Sequence, residues 1–150
     1  MAKKKANNTK RISNRRARYD YDLGDSLIVG IALTGAETKA LRRGQGQLSG
    51  SYVTVKDGEL WLINSNITGD NSIKISDTEK TRSRKLLAKR REINSLIAAK
   101  QQGRTIVPLE ILTKGRYIKV RISAGRGKQK YDKRQNLKKR DEERRIRDLS

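Results

Sequence analysis

The chain has 150 residues, 37 of them Lys or Arg against 16 Asp or Glu, for a formal charge of +21. Such an excess repels itself in a compact protein and calls for a polyanionic partner. Nucleic acid ranks before membrane, because no run approaches the roughly 20 apolar residues of a spanning helix and the start, MAKKKANNTKR, has no apolar signal segment. With no Cys and no His, a disulfide framework, a Cys/His zinc site, a thiol nucleophile and an imidazole base are excluded, and the expected compartment is the cytoplasm.

Residues 1–17 read as a flexible basic arm, since the first 18 positions hold eight basic groups and no acid. One RNA-binding domain is expected over 18–127. Its first element is a strand over 26–33 (SLIVGIAL), nearly all apolar, in which Gly30 marks a bulge or a close approach of another backbone. Thr34 and Glu37 have the spacing of a capping box, so a short helix is expected to run to about Arg43 and stop at Gly44. SYVTVK and ELWLIN flank Asp57-Gly58, a pair suited to the positive φ angles of a two-residue hairpin turn. Trp61 is assigned to the core in preference to base stacking. Residues 66–81 lack periodicity and read as a mobile loop with a short strand over 72–75.

From Arg82 to Gln102 the pattern reads as one helix. Leu86, Leu87, Ile93, Leu96 and Ile97 form its apolar stripe and Gly103 its C-terminal cap. Arg82, Arg84, Lys85, Lys89, Arg90 and Arg91 crowd its first half, and so many like charges at helical spacing favour an RNA-facing patch over a solvated face. TIVPLEIL and RYIKVRIS then flank Lys114-Gly115 as a second hairpin, with Pro108 at an edge or a bulge. Residues 128–150 form a charged tail too poor in apolar groups for a core. Its pairs Asp141–Arg145 and Glu143–Arg147 each add about 0.2–0.5 kcal/mol to a helix, which is too little to hold so short a helix alone. The tail is therefore expected to be disordered when free and helical against a partner. The fold class is mainly β with α: a small antiparallel OB-type β-barrel with two or three flanking helices and a basic C-terminal tail.

The residues offer little to catalysis. No phosphate-binding GxxxxGK[ST] loop occurs, and Gly44-Gln45-Gly46 and Gly125-Arg126-Gly127 lack the rest of a dinucleotide fingerprint. Glu37, Asp57, Glu59 and Glu110 fall singly on a cap, a turn and strand surfaces, so no enzyme, metal or cofactor is expected. Binding is better supplied. Lys119 and Arg121 share one face of a strand near Tyr117, and the basic stretch from Arg82 and residues 125–130 extend that surface for phosphates and stacked bases. So few aromatics favour recognition of a folded RNA by shape. On the residues alone, a structural ribosomal protein and an RNA-processing enzyme remain open.

Five blocks then share an order and a spacing: NRRARYDY (14–21), TGAETKALR (34–42), RSRKLLAKRREINSLI (82–97), GRTIVPL (103–109) and YDKR (131–134). In these the chain resembles the small protein B (SmpB) family, the tmRNA (SsrA)-binding proteins of bacterial trans-translation. The resemblance implies an OB-type barrel that binds the tRNA-like domain of tmRNA and delivers it to stalled 70S ribosomes. It places the family's RNA contacts on Leu87 and Lys119; read from their charge, Arg82, Arg84, Lys85, Arg121, Arg126, Lys128 and the N-terminal Arg15, Arg16 and Arg18 are the candidate RNA-binding groups beside them. It implies that Tyr131, Asp132, Lys133 and Arg134 engage the decoding centre. Residues 135–150, with Lys138, Lys139, Arg140 and Arg144, would then form a helix in the empty mRNA channel. The implied partners are tmRNA, small-subunit rRNA and, through the aminoacylated RNA, elongation factor Tu. The sequence departs from the family pattern at Ile28, where Glu is usual, at Tyr19 and Tyr131, where His is common, and at Asp77-Thr78-Glu79, where an Asp-Pro pair is usual.

Overall fold

Apolar side chains alternate along the strands, so that Val53, Leu60, Leu62, Leu86, Ile106, Val120 and Ile122 all point to one interior. The computed structural model describes residues 12–128. Its elements are β1 (Ile12–Ser13), α1 (Arg15–Asp20), β2 (Tyr21–Ile31), α2 (Gly35–Arg42), β3 (Gly46–Gln47), β4 (Tyr52–Lys56) and β5 (Glu59–Ile63), followed by β6 (Asn66–Ile67), α3 (Asp77–Lys80), β7 (Arg84–Leu87), α4 (Arg90–Gln101), β8 (Thr105–Leu112) and β9 (Lys119–Gly127). The main sheet is antiparallel, runs β1-β8-β4-β5-β7-β2-β9 and closes on itself because β9 pairs with β8 as well as β2. This is the barrel-like architecture expected from the sequence. Closure also leaves β8 and β9 without the open edges that invite unwanted pairing.

Leu41 of α2 and Ile93 and Leu96 of α4 join the strand side chains in one core. Each such Leu or Ile contributes roughly 1.5–3 kcal/mol by leaving water. The local signals hold. Thr34 Oγ1 accepts from the Glu37 amide at 3.2 Å while Glu37 Oε1 accepts from the Thr34 amide at 2.9 Å, closing the capping box. Helix α2 ends before Gly44, whose φ is 79°. Asp57 and Gly58 turn the first hairpin with φ of 53° and 76°. Pro108 sits at a shift in the β8–β9 register, as a strand proline should.

Four expectations are corrected. Residues 12–17, read as part of the arm, form β1 and the start of α1: Ile12 is buried opposite Ile111, and buried Asn14 donates from Nδ2 to the Pro108 carbonyl at 2.9 Å while capping the Ala17 amide. The single helix expected from Arg82 is a strand, β7, and a helix, α4. Alternation in β7 turns Arg84 and Leu86 inward and Lys85 and Leu87 outward, which no helix allows. Residues 72–75 form no strand; that region instead supplies β6, α3 and a buried Ile73. Trp61 is half-buried between inward Leu60 and Leu62, so it lies on the outer face of β5 opposite Lys85 of β7 and not in the core.

Candidate nucleic-acid interface

Strand β2 runs between β7 and β9, and its register puts Gly30 opposite Leu87 on one side and Lys119 on the other. Leu87, Gly30 and Lys119 therefore lie abreast on the outer face of three neighbouring strands. The glycine is what keeps the row open, since a Cβ at position 30 would stand 3.3 Å from the Leu87 Cβ. The close approach expected at Gly30 is present. An open groove of about 550 Å³ follows the row, lined by Ile28, Gly30, Lys85, Leu87, Lys89 and Lys119, with Glu59 and Glu92 also on its walls. Leu87 is 53% exposed and Ile28 43%. Such side chains forgo about half of the roughly 1.5–3 kcal/mol that full burial returns, a gain open to any partner that covers them. An apolar floor between ammonium groups suits a polyanion with flat apolar surfaces, which describes a nucleic acid.

Arg121 lies beside this groove but is already engaged. Its Nε donates to Glu110 Oε2 at 2.9 Å and one terminal nitrogen to Ser26 Oγ at 3.4 Å. Ile28 is its cross-strand neighbour on β2. With no carboxylate at position 28, the arginine takes its acid from β8. Tyr117, at the entry to β9, is 68% exposed and carries the Arg116 guanidinium 5.6 Å above its ring.

Arg84 leaves the expected RNA-facing patch altogether, and Arg82, its side chain 32% exposed, is drawn toward Glu37. Arg84 is fully buried, and its guanidinium donates to Glu37 Oε2 at 3.1 Å, to Ser65 Oγ at 2.8 Å and to the Glu79 carbonyl at 2.9 Å. Arg82 donates from Nε to the same Glu37 oxygen at 2.9 Å. Glu37, read only as a helix cap, is thus the shared carboxylate of a buried ionic cluster. Burial alone would raise its pKa, but the Arg82 hydrogen bonds, the Thr34 amide and the two guanidinium charges outweigh that and hold the carboxyl below its ordinary value. Burial in turn lowers the pKa of Arg84, against the attraction of Glu37. The run Arg-Lys-Leu-Leu carries no polar–apolar alternation in the sequence, so only the strand register separates inward Arg84 from outward Lys85.

A second basic group forms at the other end of the β2–β9 ribbon, where Tyr21 pairs with Gly127. Exposed Arg15, Arg16 and Arg18 lie on α1, which leads into Tyr21, and Arg126 and Lys128 lie at the paired end of β9, where the Lys128 amide donates to the Asp20 carbonyl at 2.7 Å. From Tyr21 to Gly30 the strand runs roughly 30 Å at ~3.3 Å per residue. The basic residues expected to share one surface are therefore split between two ends. Tyr131, Asp132, Lys133, Arg134, Lys138, Lys139, Arg140 and Arg144 lie outside the described residues. Among the described residues no helix is long and apolar enough to cross a membrane, and no three His, Cys, Asp or Glu side chains gather as a metal site would need.

Comparison with known proteins supplies the family. A family model described as SmpB protein matches residues 11–149. An SsrA-binding protein of Mycobacterium sp. (strain KMS) is 44% identical over 146 residues, covering 97% of this chain and 87% of the relative. One from Rhodopseudomonas palustris (strain BisB18) is 45% identical over 131 residues, covering 85% and 83%. Among solved structures, one described as "tmRNA-SmpB: a journey to the center of the bacterial ribosome" superposes with a TM-score of 0.65 at 38% identity, covering 80% of this chain and 85% of its own. The chain belongs to the SmpB protein family.

Proposed function

We propose that the protein is an RNA-binding adaptor of trans-translation, which binds the tRNA-like domain of tmRNA and brings it to stalled ribosomes. The observation that carries this reading is the row Leu87–Gly30–Lys119, an apolar and cationic groove floor that the fold itself has no use for. In it Leu87 and Ile28 pack against the exposed face of the RNA, and Lys85, Lys89 and Lys119 neutralise phosphates around them. Kinship with SsrA-binding proteins and likeness to a tmRNA–SmpB ribosome structure support the same partner. The basic group of Arg15, Arg16, Arg18, Arg126 and Lys128, at the far end of the ribbon, meets RNA that the groove does not hold. The chain leaves the described domain from that end, beside Asp20. One face thus takes tmRNA while the following segment is free to reach the ribosome. Tyr131, Asp132, Lys133 and Arg134 engage the decoding region, and 135–150 folds as a helix along the empty mRNA channel. The adaptor acts by placement and charge and performs no chemistry. Elongation factor Tu joins through the aminoacylated RNA.

The test is the affinity for a tmRNA tRNA-like domain beside an ordinary alanine tRNA across a salt series. Both complexes weaken with salt as phosphate contacts release counterions. A preference for the tmRNA fragment that persists at high salt is expected. Equal affinities that collapse together would leave a generic basic binder and overturn the reading.

A further inference from the structure

The three strands of the groove floor converge on one short helix. β2, which carries Gly30, leads into α2 through residues 32–34. Near its first turn α2 holds Glu37, which grips Arg82 and Arg84, and Leu87 follows Arg84 by three residues. At its last position Arg42 closes on the turn before β9: one terminal nitrogen donates to the Thr113 carbonyl at 2.8 Å and the Gly115 carbonyl at 3.1 Å, the other to the Arg116 carbonyl at 2.9 Å. Lys119 follows Arg116 by three residues. At about 100° per residue, positions 37 and 42 point some 140° apart around the helix. The two grips therefore reach in different directions, one toward β7 and one toward β9.

We infer that α2 sets the spacing of the RNA groove, with Arg42 as a positioning residue that fixes Lys119 relative to Leu87 by holding the turn before β9. This inference rests on the proposed RNA reading. Three main-chain carbonyls on one guanidinium fix both the position and the tilt of that turn. Between buried Thr113 and Ile118, Gly115 has a φ of 91° and Lys114, Gly115, Arg116 and Tyr117 are all exposed, so packing holds the ends of the turn and leaves its tip to the Arg42 guanidinium. A lysine cannot do the same work, because one ammonium is a single point where the guanidinium presents two separated nitrogens. The Arg42 guanidinium donates to the carbonyl oxygens of Thr113, Gly115 and Arg116, and its influence on Lys119 passes through the turn they belong to.

The experiment compares Arg42→Lys and Arg42→Met with wild type, using the full chain and the tmRNA tRNA-like domain. Both variants are expected to lose roughly three- to thirtyfold in affinity, lysine as much as methionine, because what is lost is the placement of Lys119 and not a positive charge at position 42. Rescue by lysine together with a shallower slope for Arg42→Met would mean that Arg42 binds phosphate directly, and would overturn the inference. Combining Arg42→Lys with Lys119→Met should cost less than the product of the two single losses, since one acts through the other; simple multiplication of the losses would overturn it. Should Arg42→Met melt below the assay temperature, this cycle on the lysine variant decides. In the free protein, NMR signals of the Lys119 amide and the Leu87 methyl groups should shift relative to each other in Arg42→Lys, while those of α1 stay in place. If wild type itself shows no preference for the tmRNA fragment, the functional reading fails, and the free-protein spectra then judge the spacing role alone: unchanged Lys119 and Leu87 signals would overturn it.

Discussion

The two faces of β7 treat charge in opposite ways. Arg84 points inward and is 0% exposed, whereas Leu87, three residues later, points outward and is 53% exposed. The inward arginine is tolerated because acceptors surround it, namely the Glu37 carboxylate, the Ser65 hydroxyl and carbonyl, and the carbonyls of Glu79, Lys80 and Arg82. The outward leucine has a cationic, concave setting and no internal partner of comparable size. One face specifies how the strand is held and the other what it offers. Ordinary expectation would put the leucine in and the arginine on the RNA. On the proposed reading, this inversion has the partner met by shape and apolar cover as much as by net charge.

The largest effect should come from breaking the inner face. Arg84→Met leaves Glu37 with Arg82 alone and strips the donors from Ser65, Glu79 and Lys80. A loss of about 3–5 kcal/mol is expected, as when one partner of a buried pair is removed, read as a shifted denaturant midpoint at unchanged slope. A nearly neutral Arg84→Met would mean that the cluster is solvated and that the two faces do not differ as their burial implies.

Acid should probe the same cluster more gently. The Glu37 carboxyl is held below its ordinary value of 4.5 in the fold. Its stabilising contribution is therefore complete above that unfolded value and is lost as pH falls through the lower folded one. Wild type should lose stability progressively below about pH 4.5, and Glu37→Gln, already less stable at neutral pH, should show a flatter profile over that window. Denaturant midpoints at neutral pH and at steps below pH 5 measure the difference. Parallel profiles would assign the acid sensitivity to other carboxylates.

What was legible in the sequence tracks how local the cause is. The Thr34–Glu37 cap and the Asp57-Gly58 turn depend on residues two or three apart, and both stand as read. β7 misled because adjacent Leu86 and Leu87 fit a helical stripe as well as a strand's two faces. The fact that separates them, burial of Arg84 against Glu37, lies 47 residues away. β1 was hidden in a basic arm because the only sign of order, Ile12, acquires meaning opposite Ile111. Family motifs pointed to Leu87 and Lys119, but not to their placement abreast around Gly30, since that register is set by three strands distant in sequence. Ile28, noted only as a departure, proves to be part of the groove.

On the outer face, Leu87→Ala and Lys119→Met should change stability by no more than about 0.5 kcal/mol, as exposed positions do. Both should weaken the tmRNA fragment, and the salt response separates them. Lys119→Met should lower the slope of log affinity against log salt by roughly 0.7–0.9 for its lost phosphate contact, while Leu87→Ala should leave the slope alone. Equal slope losses would make the leucine's part electrostatic and indirect, and the division between apolar floor and cationic wall would fail.

The smallest effect belongs to the far end of the ribbon. Arg16 pairs with Asp20 at 2.9 Å, four residues on along α1, and its own side chain is 71% exposed. Water screens such a pair, so Arg16→Ala should cost no more than about 0.5 kcal/mol. The groove lies roughly 30 Å of strand away, so affinity for the isolated tRNA-like domain should not change either. A clear loss there would mean that one RNA spans both basic groups, with the α1 end belonging to the same interface as Leu87 and Lys119. An unchanged affinity, with weaker association of the complete tmRNA complex with ribosomes, would keep the two ends as separate contacts. That outcome fits a domain that holds its RNA at one end and sends its chain onward from the other.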